Sequence, residues 1–140
     1  MKRGFLTFFV FLLLPISTAY AQAVPVQVQV IVASREGGGP VDPGIQPLVQ
    51  ELRRDFAYTG YRLLETHRGQ VGPEHPWQTT IAGGHDLRVA LMRADQRRAD
   101  LKITTAGVNT RVSLQRGGPP FLVGGPPHRS GTLIIAISAH

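Results

Sequence analysis

The side chains that could hold a metal or move a proton are His67, His75, His85, His128 and His140, with Glu74 and Asp86 beside two of them. Imidazole and carboxylate together suit zinc, copper or nickel. No pair of histidines has the i, i+4 spacing of a helical metal motif, and His75 and His85 fall in glycine- and proline-rich bends, so no metal site is expected. A hydrolase or metal enzyme built on His75, His85 and Asp86 is the third-ranked reading. Ser34 and Ser130 could serve as nucleophiles, yet neither lies in Gly-x-Ser-x-Gly. Gly37-Gly38-Gly39-Pro40 stands between a strand and a helix, the setting of phosphate loops. No Gly-Lys-Ser/Thr follows, and Asp42 would repel a phosphate at the helix start. No catalytic set and no cofactor are therefore assigned.

Arginine is the more informative residue. Lys2 and Arg3 belong to a leader; without them 13 basic side chains face 9 acids, and Lys102 is the lysine among twelve arginines. Guanidinium forks match carboxylates and phosphates better than ammonium groups do. Arg93, Arg97 and Arg98 surround a hairpin tip and form the candidate anion-binding site, for a small anionic molecule or a polysaccharide. Asp95 and Asp100 flank the same tip, where local ion pairing accounts for them. Nucleic-acid binding would need cations interleaved with stacking rings. Tyr58, Tyr61 and Arg62 are the nearest approach, at a helix end that needs aromatics for packing, so no nucleic acid is expected.

A third feature is a repeat. Gly117-Gly118-Pro119-Pro120 recurs as Gly124-Gly125-Pro126-Pro127, with Phe121-Leu122-Val123 between. Proline cannot donate to a ladder and glycine weakens one, so each copy should interrupt pairing. The segment reads either as an edge folded back to protect a sheet or as a stiff recognition loop. In the second reading Pro119, Pro120, Phe121, Leu122, Val123, Pro126 and Pro127 contact a protein partner in the cell envelope.

These groups must be positioned by a small fold. Lys2 and Arg3, the apolar run Phe5 to Leu14 and Ala19-Tyr20-Ala21 spell a secretory signal peptide over residues 1–21, leaving one domain over 22–140. The run is too short to span a bilayer, which takes about 20 residues, so no stable span is expected after cleavage. The domain is expected in the bacterial periplasm or outside the cell. With no cysteine it has to be held by an ordinary core.

Val24, Val26, Val28, Val30 and Val32 alternate with more polar residues and write a strand with one apolar face. Ile45, Leu48, Val49, Leu52 and Phe56 form a helical stripe, with Asp42 as N-cap and Gly60 as left-handed stop. Arg62 to Val71 is a second strand. Trp77 to Leu114 reads as an antiparallel meander. Register arguments give it odd loops at Gly83-Gly84-His85 and, of three or five residues, at Asp95–Arg98, and an even loop of two or four residues within Thr105–Thr110. Thr132 to Ser138 is apolar on both faces, the mark of a central strand; pairing it beside the first strand would put the two termini in the middle of the sheet, but the strand order outside the meander stays open. The expected fold is α+β: one main amphipathic helix on a mostly antiparallel sheet of six or seven strands. The first-ranked function is an exported, non-enzymatic binding or assembly module of the envelope. The anionic ligand ranks second.

Overall fold

The computed structural model describes residues 4, 23–35, 43–56, 58–129 and 131–140. The leader apart from Gly4, the glycine loop with Asp42, and Ser130 lie outside the described residues. Among the described residues, eight strands form two four-stranded antiparallel sheets. β1 (Val24–Ser34), β2 (Gly60–Val71), β7 (Phe121–His128) and β8 (Gly131–Ala139) make the terminal sheet, in the order β2-β1-β8-β7. β3 (Trp77–Ile81), β4 (His85–Ala94), β5 (Arg98–Thr105) and β6 (Val108–Gln115) make the meander sheet, in chain order.

The expected α+β arrangement is not what forms. Strands account for 66% of the described residues, and among these helix is confined to a short 13-residue stretch. That stretch is a 3-10 segment, Pro43–Leu48, running into α1, Val49–Asp55. Pro47 explains the division: its ring lacks an N–H and crowds the carbonyl four residues back, so the α-helix starts after it. A helix so short cannot cover the meander as well. The apolar face of β4, β5 and β6 is buried instead against the valine face of β1, which makes a sandwich.

The main core lies between the sheets. It joins Val24, Val26, Val28 and Val30 of β1 and Ile135 and Ile137 of β8 to Leu87, Val89, Leu101, Ile103, Val112 and Leu114 of the meander. The helix sits on the opposite side of the terminal sheet. Ile45, Leu48 and Leu52 pack on Ile31, Ala33, Tyr61, Ile134 and Ala136, with Phe56 partly buried beside them. Val49 of the expected stripe is buried but lies outside this cluster, Ile45 and Leu48 come from the 3-10 segment, and the seat is the non-valine side of β1. β8 is apolar on both faces because it is covered on both, and it pairs with β1 in register Val28↔Ile137 and Val30↔Ile135. Tyr61 fastens the helix end by donating its hydroxyl to the carbonyls of Leu52 and Phe56, both at 3.0 Å. The chain leaves α1 with Phe56 extended, and Gly60 begins β2 instead of acting as a left-handed stop.

The meander registers follow their inward faces. Leu87↔Thr105, Val89↔Ile103 and Leu91↔Leu101 join β4 to β5 as expected, and a bulge between Leu91 and Arg93 then shifts the pairing to Arg93↔Asp100. The β5–β6 turn is the two-residue Ala106-Gly107, with φ of 45° and 81°. Positive φ at both positions gives a hairpin turn whose twist matches its strands. The β3–β4 loop has three residues, but they are Ala82, Gly83 and Gly84, and Ile81 pairs with His85 where Leu87 was expected. The expected and observed registers differ by two residues, so both leave Trp77, Thr79 and Ile81 facing inward; face matching alone does not separate them.

A second bulge sits in β2. Val30 pairs with Glu65 but Ile31 pairs with Leu63, so Leu64 is the extra residue. Tyr61 and Leu63 face the helix, whereas Leu64 packs into the main core. Strict alternation would have placed Glu65 and His67 on the face of Tyr61 and Leu63; the bulge turns them towards the meander.

Candidate functional site

The alternation that buries Leu87, Val89, Leu101, Ile103, Val112 and Leu114 turns the intervening residues outward. Those residues carry Arg88 and Arg93 on β4, Arg98 and Lys102 on β5, and Arg111 on β6. Register places Lys102 directly opposite Arg111. Arg88 and Arg93 stand opposite Thr104 and Asp100, diagonal to Lys102 on either side. Like charges facing each other across two strands destabilise the pairing, by about 0.2–1 kcal/mol on the scale of such pairs. Among the described residues, none of these five cations forms an ion pair. The acids on the face do little to offset them: Asp86 accepts from Thr80 Oγ1 at 3.3 Å, and Asp100 lies opposite Arg93 without closing on it.

The charge is unevenly distributed along the chain. Residues 77–116 hold seven basic and three acidic side chains, whereas the rest of 22–140 holds six of each. The net positive charge of the domain therefore belongs to the meander and its turns.

At one end this face runs into a half-open groove of about 470 Å³, lined by Pro73, Leu91, Met92, Arg93, Asp95 and Arg116 among others. Arg116 is fixed there. Its Nε donates to the His140 carbonyl at 3.0 Å and its Nη1 to the Asp95 carbonyl at 2.9 Å. Asp95 orders the tip from the other side, its Oδ1 accepting from the backbone N–H of Arg97 at 2.7 Å and of Arg98 at 2.8 Å. Those two bonds, first Arg97 then Arg98, hold the Asp95 carboxyl below its ordinary pKa, and the charges of Arg97 and Arg116 add to the effect. Asp95 is thus a turn-forming residue. Of the expected arginine trio, Arg93 lines the groove and Arg98 lies on the open face. Arg97 belongs to the exposed tip.

The glycine–proline repeat is built into the terminal sheet. Its first copy carries the chain from β6 back to β7, with Gly117 at φ 77° and its N–H donating to the Ala139 carbonyl at 2.8 Å. The second copy lies inside edge strand β7 and breaks its register between Gly124 and Pro127. Val123 is buried in the main core and Leu122 packs on the helix-side cluster. Phe121 alone of the three is outward, 41% exposed. Pro119 and Pro127 are exposed; Pro120 and Pro126 are half-buried. Deleting 117–127 would remove a strand and part of the core, so it cannot isolate a contact surface.

The histidines scatter. His75 is exposed in the β2–β3 link, His140 is bonded through its backbone to Pro25, and His85 and His128 flank the Gly83 turn. Among the described residues no three metal-binding side chains converge. His67 instead joins a polar chain on the flank of the sandwich: its Nε2 meets Glu65 Oε2 at 2.6 Å and its Nδ1 meets Thr79 Oγ1 at 3.3 Å. The β2 bulge is what brings β2 and β3 into this contact, closing the side of the core with hydrogen bonds.

Arg88, Lys102, Arg111 and Arg116 were not singled out from sequence. For the first three the signal was present, since the outward positions follow once the inward register is fixed. Arg116 follows a strand end and has no pattern of its own. No family model matches the chain, and neither the curated proteins nor the solved structures contain a significant match to it. Among the described residues no helix is long and apolar enough to cross a membrane.

Proposed function

We propose that the protein is an exported, non-enzymatic binding module that recognises an anionic ligand through the outer face of its meander sheet. The supporting observation is the set of five cations on that face, two of them directly opposed across strands, with no ion pair among the described residues to relieve them. Folding alone would favour an acid opposite Lys102; an anionic partner removes the repulsion on binding. Export rests on the leader read from residues 1–21. Protein recovered from the extracytoplasmic fraction should accordingly begin at Gln22 on N-terminal sequencing.

The binding surface is tested by retention on a carboxylated resin. Arg88→Glu with Arg111→Glu should elute at much lower salt than Arg53→Glu with Arg54→Glu on the helix, although both change net charge equally. Equal elution of the two variants would reduce the effect to bulk charge and remove the site. A protein partner in the envelope is the second reading, favoured by Phe121, exposed on edge strand β7. Phe121→Ala should then weaken capture of that partner and leave resin retention unchanged.

A further inference from the structure

We infer that the ligand of the meander face is an extended acidic polysaccharide, a polymer of uronate-like sugars, and not a small anion; the inference rests on the anionic reading above. The first reason is length. From the row of Arg88 and Thr104 to the row of Arg98 and Gln115, β5 runs six residues, roughly 20 Å at about 3.4 Å per residue. One carboxylate reaches one or two guanidinium groups. Charges at the two ends are separated by more than the Debye length of about 10 Å at 0.1 M salt, so a single anion at one end does little for the other. A chain of several acidic units can engage the whole band, each further contact being intramolecular once the first has formed.

The second reason is what stands between the cations. The remaining outward positions include Gln78, Thr104, Asn109, Ser113 and Gln115, amides and hydroxyls that suit sugar hydroxyls as donors and acceptors. No aromatic ring lies at an outward position of the meander strands. Single-stranded nucleic acid binds by base stacking in addition to charge, and a bilayer surface takes large apolar side chains beside the basic ones. Met92, at the bulge, is the one large apolar side chain exposed along these strands. The surface has the chemistry for a hydroxylated polyanion and lacks what the other two use.

The test is binding of the full chain to oligogalacturonates of increasing length, in low and moderate salt. Galacturonate monomer, oligothymidylate and phosphatidylglycerol vesicles are the comparators. Affinity should rise at least tenfold from the trimer to the decamer and fall steeply with salt. It should drop at least tenfold in Lys102→Glu with Arg111→Glu, whose fold is checked by circular dichroism. Monomer bound as tightly as decamer would overturn the polymer and leave the anionic face standing. Tighter binding to oligothymidylate or to the vesicles would overturn the sugar assignment. No binding to any of the four would overturn both this inference and the proposed function.

Discussion

In the terminal sheet, β8 sends Ile135 and Ile137 to the meander and Ile134 and Ala136 to the helix, so both of its faces are dry. In the meander sheet, β5 sends Leu101 and Ile103 inward but Lys102 and Thr104 to the outer side. Both strands obey the same period of two. What separates them is how many layers cover them, and that decides where charge can be placed. A strand covered on both faces, as β8 is, has no outward position left for an unpaired cation, since burying a charge without a partner is costly. A sheet at the outside of the stack has one such position for every inward residue. The proposed ligand-facing surface lies where the fold stops adding layers.

Substitutions at matched positions test this contrast. Ile134→Ala removes a fully buried side chain beneath the helix and should cost about 2–5 kcal/mol in urea unfolding. Lys102→Ala, at an outward position of the other sheet, should change stability by no more than about 0.5 kcal/mol. Similar losses at both positions would mean that the outer face of the meander is covered after all.

A smaller effect is expected where the sheets meet at their flank. A Cβ added at Gly69 would overlap the Trp77 indole, which lies directly over that glycine. Gly69→Ala should lose about 1–3 kcal/mol, the usual scale of overpacking, and Trp77 fluorescence should report the displacement. Unchanged stability and emission would show that the β2–β3 flank is loosely packed. Smaller again is the charge term on the open face. Arg111→Glu places an acid opposite Lys102 and should stabilise by about 0.2–1 kcal/mol. The gain should fade as salt is raised, while retention on the anionic resin falls. A variant that loses stability would show that the pair is not opposed as the register requires.

The last effect is confined to one turn. Asp95 has a lowered folded pKa, so its contribution is full above the ordinary carboxylate value of 3.8 and is lost as pH falls through the depressed folded value. Carboxyl chemical shifts should titrate below 3.8 in the protein and move back towards the ordinary range in Arg97→Pro, which removes the larger of the two backbone contributions and leaves that of Arg98.

The local part of this architecture was legible from residues alone. Matching the inward faces of Leu87, Val89 and Leu91 to Leu101, Ile103 and Thr105 yields the observed β4–β5 register. The doubly apolar run of β8 marks it as a central strand, although its pairing with β1 was not fixed by the residues. The division into two sheets was not legible, because alternation reports how many faces are apolar and not which other face meets them. The valine face of β1 could seat either the helix or the meander; only the short reach of a helix interrupted by Pro47 decides between them. Of the candidate site, Arg93 and Arg98 were found through the hairpin tip. Arg88, Lys102 and Arg111 were missed because register was applied to the buried side alone. The glycine–proline repeat was read for its stiffness, while the burial of Leu122 and Val123 depends on β8, which lies beyond it in the chain.

The bulge in β2 has a consequence for how the chain can vary in length. Leu64 is the residue without a partner on β1. A shortened chain lacking it would revert to plain alternation, with Leu63 still beneath the helix and Glu65 still against β3. Losing Thr66 or His67 would instead rotate the outer half of the strand, sending Arg68 towards the oily interior. Descendants of this gene should tolerate a gap at position 64 far better than one a few codons downstream.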